Sequence, residues 1–337
     1  MSLALNRNPV TMQSTARESS LRTVEAGQRV TVRVPATSAN LGPGYDSLGL
    51  ALSLYDTVRV ETADDGELAF ELSGEGADTL PRDATHLVVR TVDAALARLG
   101  YRREGLRITA ENVSPHGRGL GSSASATVAA VLAATELVPL NERPGREWVL
   151  QLCSEIEGHP DNVAPAIFGS LALSWQDGDA FRTAIARVHP DVVPIVAVPD
   201  YELSTELARS LLPSSVPHQA AAANAGRAAL LVHALTKDPS LLVPGTEDYL
   251  HQSYRASAMR PSAELIQRLR AEGHAAVVSG AGPTVLALAG GEAEADEVQA
   301  AVERFALGSE TRGGETRWRV MRLAVDSEGA RVEVHSR

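Results

Sequence analysis

Between residues 30 and 34 the order Val, Thr, Val, Arg, Val alternates apolar with polar side chains. That is the period of a strand half buried against a core, and Pro35 marks its expected end. The same alternation returns at residues 58–62 and 68–72. Over residues 86–99 the spacing changes, with Leu87, Val88, Thr91, Val92, Ala95, Leu96 and Leu99 recurring at three- and four-residue intervals, which predicts an amphipathic helix. A strand at 106–110 then leads into a glycine-rich loop. Residues 122–136 are rich in Ala, Val and Leu behind a start of small residues, the composition of a buried helix, and 147–157 predicts a second. Strands are expected at 170–175 and 193–198. Further on, helices are expected at 204–212, 219–235 and 263–272, and strands at 275–278, 285–289 and 318–323. Strands and helices mix in both halves, so the fold class is α+β. The length of 337 residues makes two domains the default. The proline-marked stretch 189–194 divides them into 29–190 and 191–337. Residues 1–28 lack sustained periodicity and read as a flexible N-terminal extension.

Composition narrows the chemistry. With 44% hydrophobic and 22% charged residues the chain can bury a core, which excludes a disordered polymer. A formal charge of −11 repels phosphate polymers, so neither nucleic acid nor an anionic membrane is an expected partner. No run of 18 apolar residues occurs and the polar start lacks a secretion signal's apolar centre, so a cytoplasmic protein is expected. The single cysteine, Cys153, excludes an internal disulfide and thiolate metal clusters. Every basic residue except Lys237 is arginine, and Lys237 follows no glycine-rich turn. The lysine-dependent phosphate sites of P-loop proteins and protein kinases are therefore excluded.

Four segments carry candidate chemistry. In residues 115–126 three glycines at alternate positions, Gly117, Gly119 and Gly121, open directly into a helix. Such a loop turns backbone N–H groups inward, and the helix start adds free donors, so a phosphate chain can be held without lysine. Ser122 and Ser123 stand where a hydroxyl meets phosphate or Mg2+. A glycine turn with serine caps accounts for the same residues. Residues 35–46 form a turn-rich segment in which Asn40 and Asp46 could hold a polar substrate, or simply brace the turn. Residues 155–162 gather Glu155, Glu157, His159, Asp161 and Asn162, a set suited to a metal and a hydroxyl proton, with Asp161 also expected to cap the next helix. Residues 279–284 place glycines after an apolar strand, either to close on the first loop or as a tight turn.

In this order the segments 35–46, 115–126 and 279–284 resemble the three motifs of the GHMP kinase superfamily. Residues 35–42 with 157–162 point to its homoserine branch. The resemblance spans the chain from about residue 29 to the last strands. It implies a two-domain fold, an N-terminal domain similar to ribosomal protein S5 domain 2 and a ferredoxin-like C-terminal domain, with ATP and L-homoserine meeting between them. The implied reaction is phosphorylation of the homoserine side-chain hydroxyl to O-phospho-L-homoserine, within threonine biosynthesis. By motif, Pro115, His116, Gly117, Arg118, Gly119, Leu120, Gly121, Ser122, Ser123, Ala124 and Ser125 match the ATP loop. His86 stands near the adenine, where relatives often have Asn. Ser123 and Glu157 match the Mg2+ ligands. Asn40, Asp46, His159 and Thr205 match homoserine contacts, and Arg209 and Arg255 match the residues that bind its carboxylate, a role suited to a two-pronged donor. Gln252 precedes Arg255 where an acidic residue is usual. Without the family spacing, both arginines read as surface ion-pair partners. Asp161 matches the candidate base for the hydroxyl proton, unless the γ-phosphate takes that proton itself and Asp161 orients the substrate. The resemblance also implies a homodimer. The alternatives are another small-molecule kinase of the superfamily and a non-catalytic relative that binds a ligand in the same cleft.

Overall fold

The computed structural model describes residues 21–311 and 316–335. The first half runs β1 (Arg22–Thr23), β2 (Arg29–Ala39), β3 (Leu48–Ala63), β4 (Leu68–Gly74), α1 (Leu87–Arg98), β5 (Tyr101–Arg102), β6 (Gly105–Asn112), α2 (Ser122–Glu136), α3 (Arg146–Glu157), α4 (Val163–Phe168), β7 (Leu171–Asp177) and β8 (Ala180–Ala186). The second runs β9 (Val192–Pro199), α5 (Thr205–Ser210), α6 (His218–Thr236), α7 (Leu242–Gly245), α8 (Gln252–Arg255), α9 (Arg260–Ala271), β10 (Ala275–Val278), β11 (Val285–Gly290), α10 (Glu292–Thr311), β12 (Trp318–Arg322) and β13 (Arg331–His335).

Val30, Val32 and Val34 turn inward as their alternation predicts, but β2 does not stop at Pro35. The register against β3 shifts between Pro35 and Ala36, a bulge at which a residue without an amide hydrogen is tolerated, and pairing resumes to Ala39. The 16-residue β3 forks, pairing β6 through residues 57–63 and β7 through residues 48–50. The resulting sheet has the order β13-β2-β3-β6-β4, with β7 and β8 branching from β3. Its apolar face, including Val32, Val60 and Ile108, packs on Val88, Val92 and Leu96 of α1 and on Val128 and Ala129 of α2.

The second sheet is antiparallel with the order β10-β11-β9-β12. Strand, helices, two strands, helix, strand in this spatial order is the ferredoxin-like arrangement that the motifs imply. Leu265, Leu269, Val298 and Val302 of α9 and α10 cover one face. The other face joins the first half through one apolar layer, in which Leu50, Leu52 and Leu171 meet Val196, Leu231 and Leu286. That layer fixes the cleft between the halves.

Two expected boundaries move. Residues 1–20 of the expected flexible extension lie outside the described residues, but the rest of it is tied down. β1 pairs in parallel with β5, and Val24 is buried. At the other end β13 leaves the second domain and pairs with β2, with Val332 packed on the first core. It supplies the partner that the edge of β2 would otherwise lack. Among the described residues no helix is long and apolar enough to cross a membrane.

Candidate active site

Gly117, Gly119 and Gly121 have φ of +64°, +80° and +70°, the left-handed region that glycine enters without cost. Space matters as much as angle. A Cβ at Gly119 would lie 2.2 Å from the Ser279 carbonyl oxygen, and one at Gly121 would lie 2.1 Å from Thr37 Oγ1. Four successive loop carbonyls are taken by donors of the protein. Those of Gly117, Arg118 and Leu120 accept from the backbone N–H of Leu203 (3.1 Å), Thr284 (3.3 Å) and Thr37 (3.0 Å), and that of Gly119 accepts from Ser279 Oγ (2.6 Å). α2 then starts without a side-chain cap, so its first-turn N–H groups are left for a ligand. Ser122, Ser123 and Ala124 line the cleft. Leu120 and Ser125 face away from it. Leu120 is buried in the layer between the halves, and Ser125 Oγ donates to the Pro35 carbonyl at 3.2 Å. Pro115 is buried before the loop, and Arg118 donates to the Asp200 carbonyl (3.3 Å).

α3 ends at Glu157, with Gly158 left-handed at its C-cap. Glu157 Oε1 accepts from Ser123 Oγ (3.0 Å) and from Thr127 Oγ1 (2.7 Å), so one face of α2 holds the carboxylate at the cleft. One carboxylate beside one hydroxyl fits Mg2+, which takes few protein ligands and keeps oxygens of water and phosphate. The next turn packs its backbone flat on β3. A Cβ at Gly49 would fall 1.8 Å from the Asp161 carbonyl oxygen. The Asp161 side chain is buried, and His159 Nδ1–H donates to its Oδ1 at 2.6 Å. Burial opposes the imidazolium of His159, but the bond and charge of Asp161 outweigh it and raise the pKa above its ordinary value. The expected cap at Asp161 is not formed. Asn162 holds that position at the start of α4 and its Oδ1 accepts from Thr37 Oγ1 at 2.8 Å.

Opposite the loop, Asn40 and Asp46 both take positive φ, +68° and +53°. Asn40 Oδ1 accepts the Asp46 N–H (2.9 Å), and its amide donates to the Gly280 carbonyl (2.8 Å), so turn bracing and site placement coincide. Arg209 grips Asp46 with both terminal nitrogens (3.1 and 2.8 Å) and donates to the Tyr45 hydroxyl (3.0 Å). The bond and charge of Asp46 override burial and raise the Arg209 pKa. Arg255 is 1% exposed, and burial pushes its pKa down. Its bonds go to neutral groups, namely the Ala208 carbonyl (3.1 Å), the Gly280 carbonyl (3.4 Å) and His251 Nδ1 (3.1 Å). His251 Nε2–H donates to the Gly42 carbonyl at 2.8 Å, which fixes Nδ1 as the acceptor for Arg255. Gln252 spends its side-chain carbonyl on the Val278 N–H (2.6 Å). Thr205, exposed at the first turn of α5, completes a cleft with Asn40, Asp46, His159, Asp161, Arg209 and Arg255.

His86 and His116 lie elsewhere, in an adjoining cavity that shares Gly117, Ser122 and Ser123 with the cleft. Val58, Leu80, Leu87, Val88 and Ala126 make much of its wall apolar. His86 caps α1 by accepting the Val88 N–H at Nδ1 (3.2 Å), which leaves the hydrogen on Nε2. Among the described residues that buried Nε2 has no partner. Burial lowers the pKa, so the ring is a neutral donor.

The motifs did not single out Thr127 or Tyr45, and Thr37 and Asn162 went unpaired within them. Thr127 was findable, because it stands one helical turn beyond Ser123 on the same face. The Thr37–Asn162 bond joins residues 125 apart in sequence and leaves no local signal.

The family model described as GHMP kinases N terminal domain matches residues 86–170, and that described as GHMP kinases C terminal matches residues 220–307. The homoserine kinase of Streptomyces avermitilis is 53% identical over 304 residues, covering 90% of this chain and 95% of that one. That of Clavibacter michiganensis is 47% identical over 308 residues, covering 91% and 95%. The crystal structure of homoserine kinase from Cytophaga hutchinsonii superposes with a TM-score of 0.78 at 26% identity, covering 90% and 97%. The chain belongs to the GHMP kinase superfamily and, within it, to the homoserine kinase family.

Proposed function

We propose that this protein transfers the γ-phosphoryl group of ATP to the side-chain hydroxyl of L-homoserine, giving ADP and O-phospho-L-homoserine for threonine biosynthesis in the cytoplasm. The observation that carries the reading is a single cleft with a glycine loop, its carbonyls taken by protein donors, at one end and the Asp46, Arg209 and Arg255 charges at the other. N–H groups of residues 117–124 and the partial positive charge at the start of α2 hold the triphosphate. His86 Nε2–H donates to an acceptor nitrogen of adenine in the apolar cavity. Arg255 and Arg209 take the homoserine carboxylate, while Asp46 and Asn40 take its ammonium group. Thr205 closes that end of the cleft. His159 and Asp161 stand at the hydroxyl, where Asp161 accepts its proton as oxygen attacks phosphorus in line. Ser123 and Glu157 would hold Mg2+, which supplies neutralisation of the charge that develops on the phosphates. The resemblance to the family also supports a homodimer, which sedimentation of the purified protein tests.

The deciding experiment couples ADP release to homoserine, serine, threonine and mevalonate as competing acceptors. Turnover fastest with homoserine is the expected result. A preference for mevalonate would assign another small-molecule kinase, and ATP binding without turnover would assign a non-catalytic relative.

A further inference from the structure

A guanidinium carries five N–H hydrogens in one plane. Arg255 commits three of them inside the protein, with Nε–H on the Ala208 carbonyl (3.1 Å) and the two hydrogens of Nη1 on His251 Nδ1 (3.1 Å) and the Gly280 carbonyl (3.4 Å). Among the described residues no hydrogen bond takes those of Nη2, and Arg255 lines the cleft. Nη2 is thus the nitrogen left for a ligand, and the inner bonds decide where it points. The bonds to Ala208 and Gly280 end on backbone carbonyls, which a change of side chain does not remove. The bond to His251, the shorter of the pair on Nη1, depends on one side chain.

His251 is fully buried between two groups that leave its ring one tautomer. The Gly42 carbonyl can only accept, so Nε2, 2.8 Å away, carries the hydrogen, and a guanidinium can only donate, so Nδ1 offers a lone pair. A second proton would set an N–H against the Nη1 hydrogens. Burial keeps the pKa of the ring below its ordinary value, although Asp248 Oδ1 lies 3.7 Å from Nε2. The segment that carries the ring is pinned as well. Asp248 accepts from the backbone N–H of Leu250 (2.9 Å), His251 (3.1 Å) and Gln252 (2.7 Å), and the ring centroids of Tyr45 and His251 are 5.2 Å apart. Gly42 lies in the same turn as Asn40 and Asp46, the groups proposed for the substrate ammonium. One neutral imidazole therefore ties the turn that reads the ammonium group to the cation that reads the carboxylate.

We propose that His251 is a positioning residue that sets the preference for an α-amino acid acceptor, its Nδ1 lone pair aiming Arg255 Nη2 at the carboxylate at a fixed reach from the turn of Asn40 and Asp46. The inference rests on reading this end of the cleft as the homoserine site, and a second acceptor separates the two. Steady-state kinetics on the full chain compare L-homoserine with 2-amino-1,4-butanediol, the same molecule with its carboxylate replaced by a neutral hydroxymethyl group. His251→Leu keeps most of the volume and loses the lone pair. A bond from a charged donor corresponds to about tenfold, so His251→Leu raises the homoserine KM about tenfold and leaves those of the diol and of ATP within about twofold. His251→Asn, whose amide oxygen falls near the position of Nδ1, brings the homoserine KM back to within about threefold of the unaltered protein. In an Arg255→Ala background His251→Leu adds nothing, since His251 acts only through Arg255. An unchanged homoserine KM in His251→Leu, an equal rise with the diol, no recovery in His251→Asn, or additive effects in the double variant overturns the proposal. If His251→Leu does not fold, His251→Gln, whose amide reaches Gly42 but sets no acceptor against Arg255, takes its place with the same expected rise and the same overturning results. Equal KM values for homoserine and the diol in the unaltered protein reject the carboxylate reading of this end itself.

Discussion

In the cleft between the two halves the charged groups have largely paired in advance. Arg209 holds Asp46, His159 holds Asp161, and Glu157 takes two hydroxyls. In the adjoining cavity the His86 Nε2–H has no partner among the described residues. The contrast separates selectivity from affinity. A ligand entering the cleft exchanges one hydrogen bond for another, so each contact contributes little net binding, while an acceptor lacking a charge leaves Arg209 or Asp46 wrongly paired. A base entering the cavity relieves a donor that is already desolvated, so its contact is mostly gain. Arg255 belongs with the second kind although it lies in the first site. It is a buried cation whose bonds, among the described residues, go to neutral groups.

The largest effect is expected at Asp161, where the charge rather than the shape of the side chain is proposed to act. Asp161→Asn keeps size and can still bond His159, so the variant should fold. Its kcat should fall at least about 100-fold, the usual floor for loss of a general base, with ATP affinity unchanged. If kcat survives and only the homoserine KM rises, Asp161 belongs to the paired binding groups and the γ-phosphate takes the proton.

The two arginines test the comparison inside one cleft. Bonds to charged groups contribute about 1.5–3 kcal/mol, or about 10- to 100-fold in KM. Arg255→Ala should approach the upper figure for homoserine and Arg209→Ala the lower, because the substrate must first displace Asp46 from Arg209. Steady-state kinetics should show ATP KM nearly unchanged in both. Equal homoserine effects would erase the distinction between a paired and an unpaired cation.

A smaller effect is expected at His86. His86→Phe removes both the α1 cap and the inward donor and should raise ATP KM about fivefold to tenfold, the cost of one buried bond. His86→Asn can retain both roles and should stay within about twofold of the unaltered protein. If Phe is as good as His in a binding titration, the unpartnered nitrogen does not face the base.

These residues were not equally legible in the sequence. The glycine loop was, because alternate glycines before a helix state a backbone conformation locally, and all three adopt it. The alternation of Leu48, Leu50, Leu52 and Leu54 belongs to β3 as well, but no strand was expected there, so β3 is longer than its expected 58–62 core. What could not be read was pairing. Nothing local says that Arg209 grips Asp46, 163 residues away, or that β13 crosses back to β2. Pro35 misled for a related reason. A proline ends a strand by local rule, and only the partner register reveals the bulge that lets β2 continue.

The smallest expected effect is on stability, and it tests whether the His159–Asp161 pair is in place before any ligand arrives. The folded pKa of His159 is raised above its ordinary value, so folding favours the protonated ring. Its contribution is therefore fully present below the unfolded pKa of about 6.5 and is lost as pH rises through the higher folded value. Urea unfolding of the ligand-free protein should show a midpoint that falls from pH 6 toward pH 8 more steeply than that of His159→Gln. The variant keeps a donor for Asp161 but does not titrate in this range. Parallel slopes would mean that the pair forms only when substrate brings it together, and the cleft would then resemble the cavity, with its groups waiting for a partner.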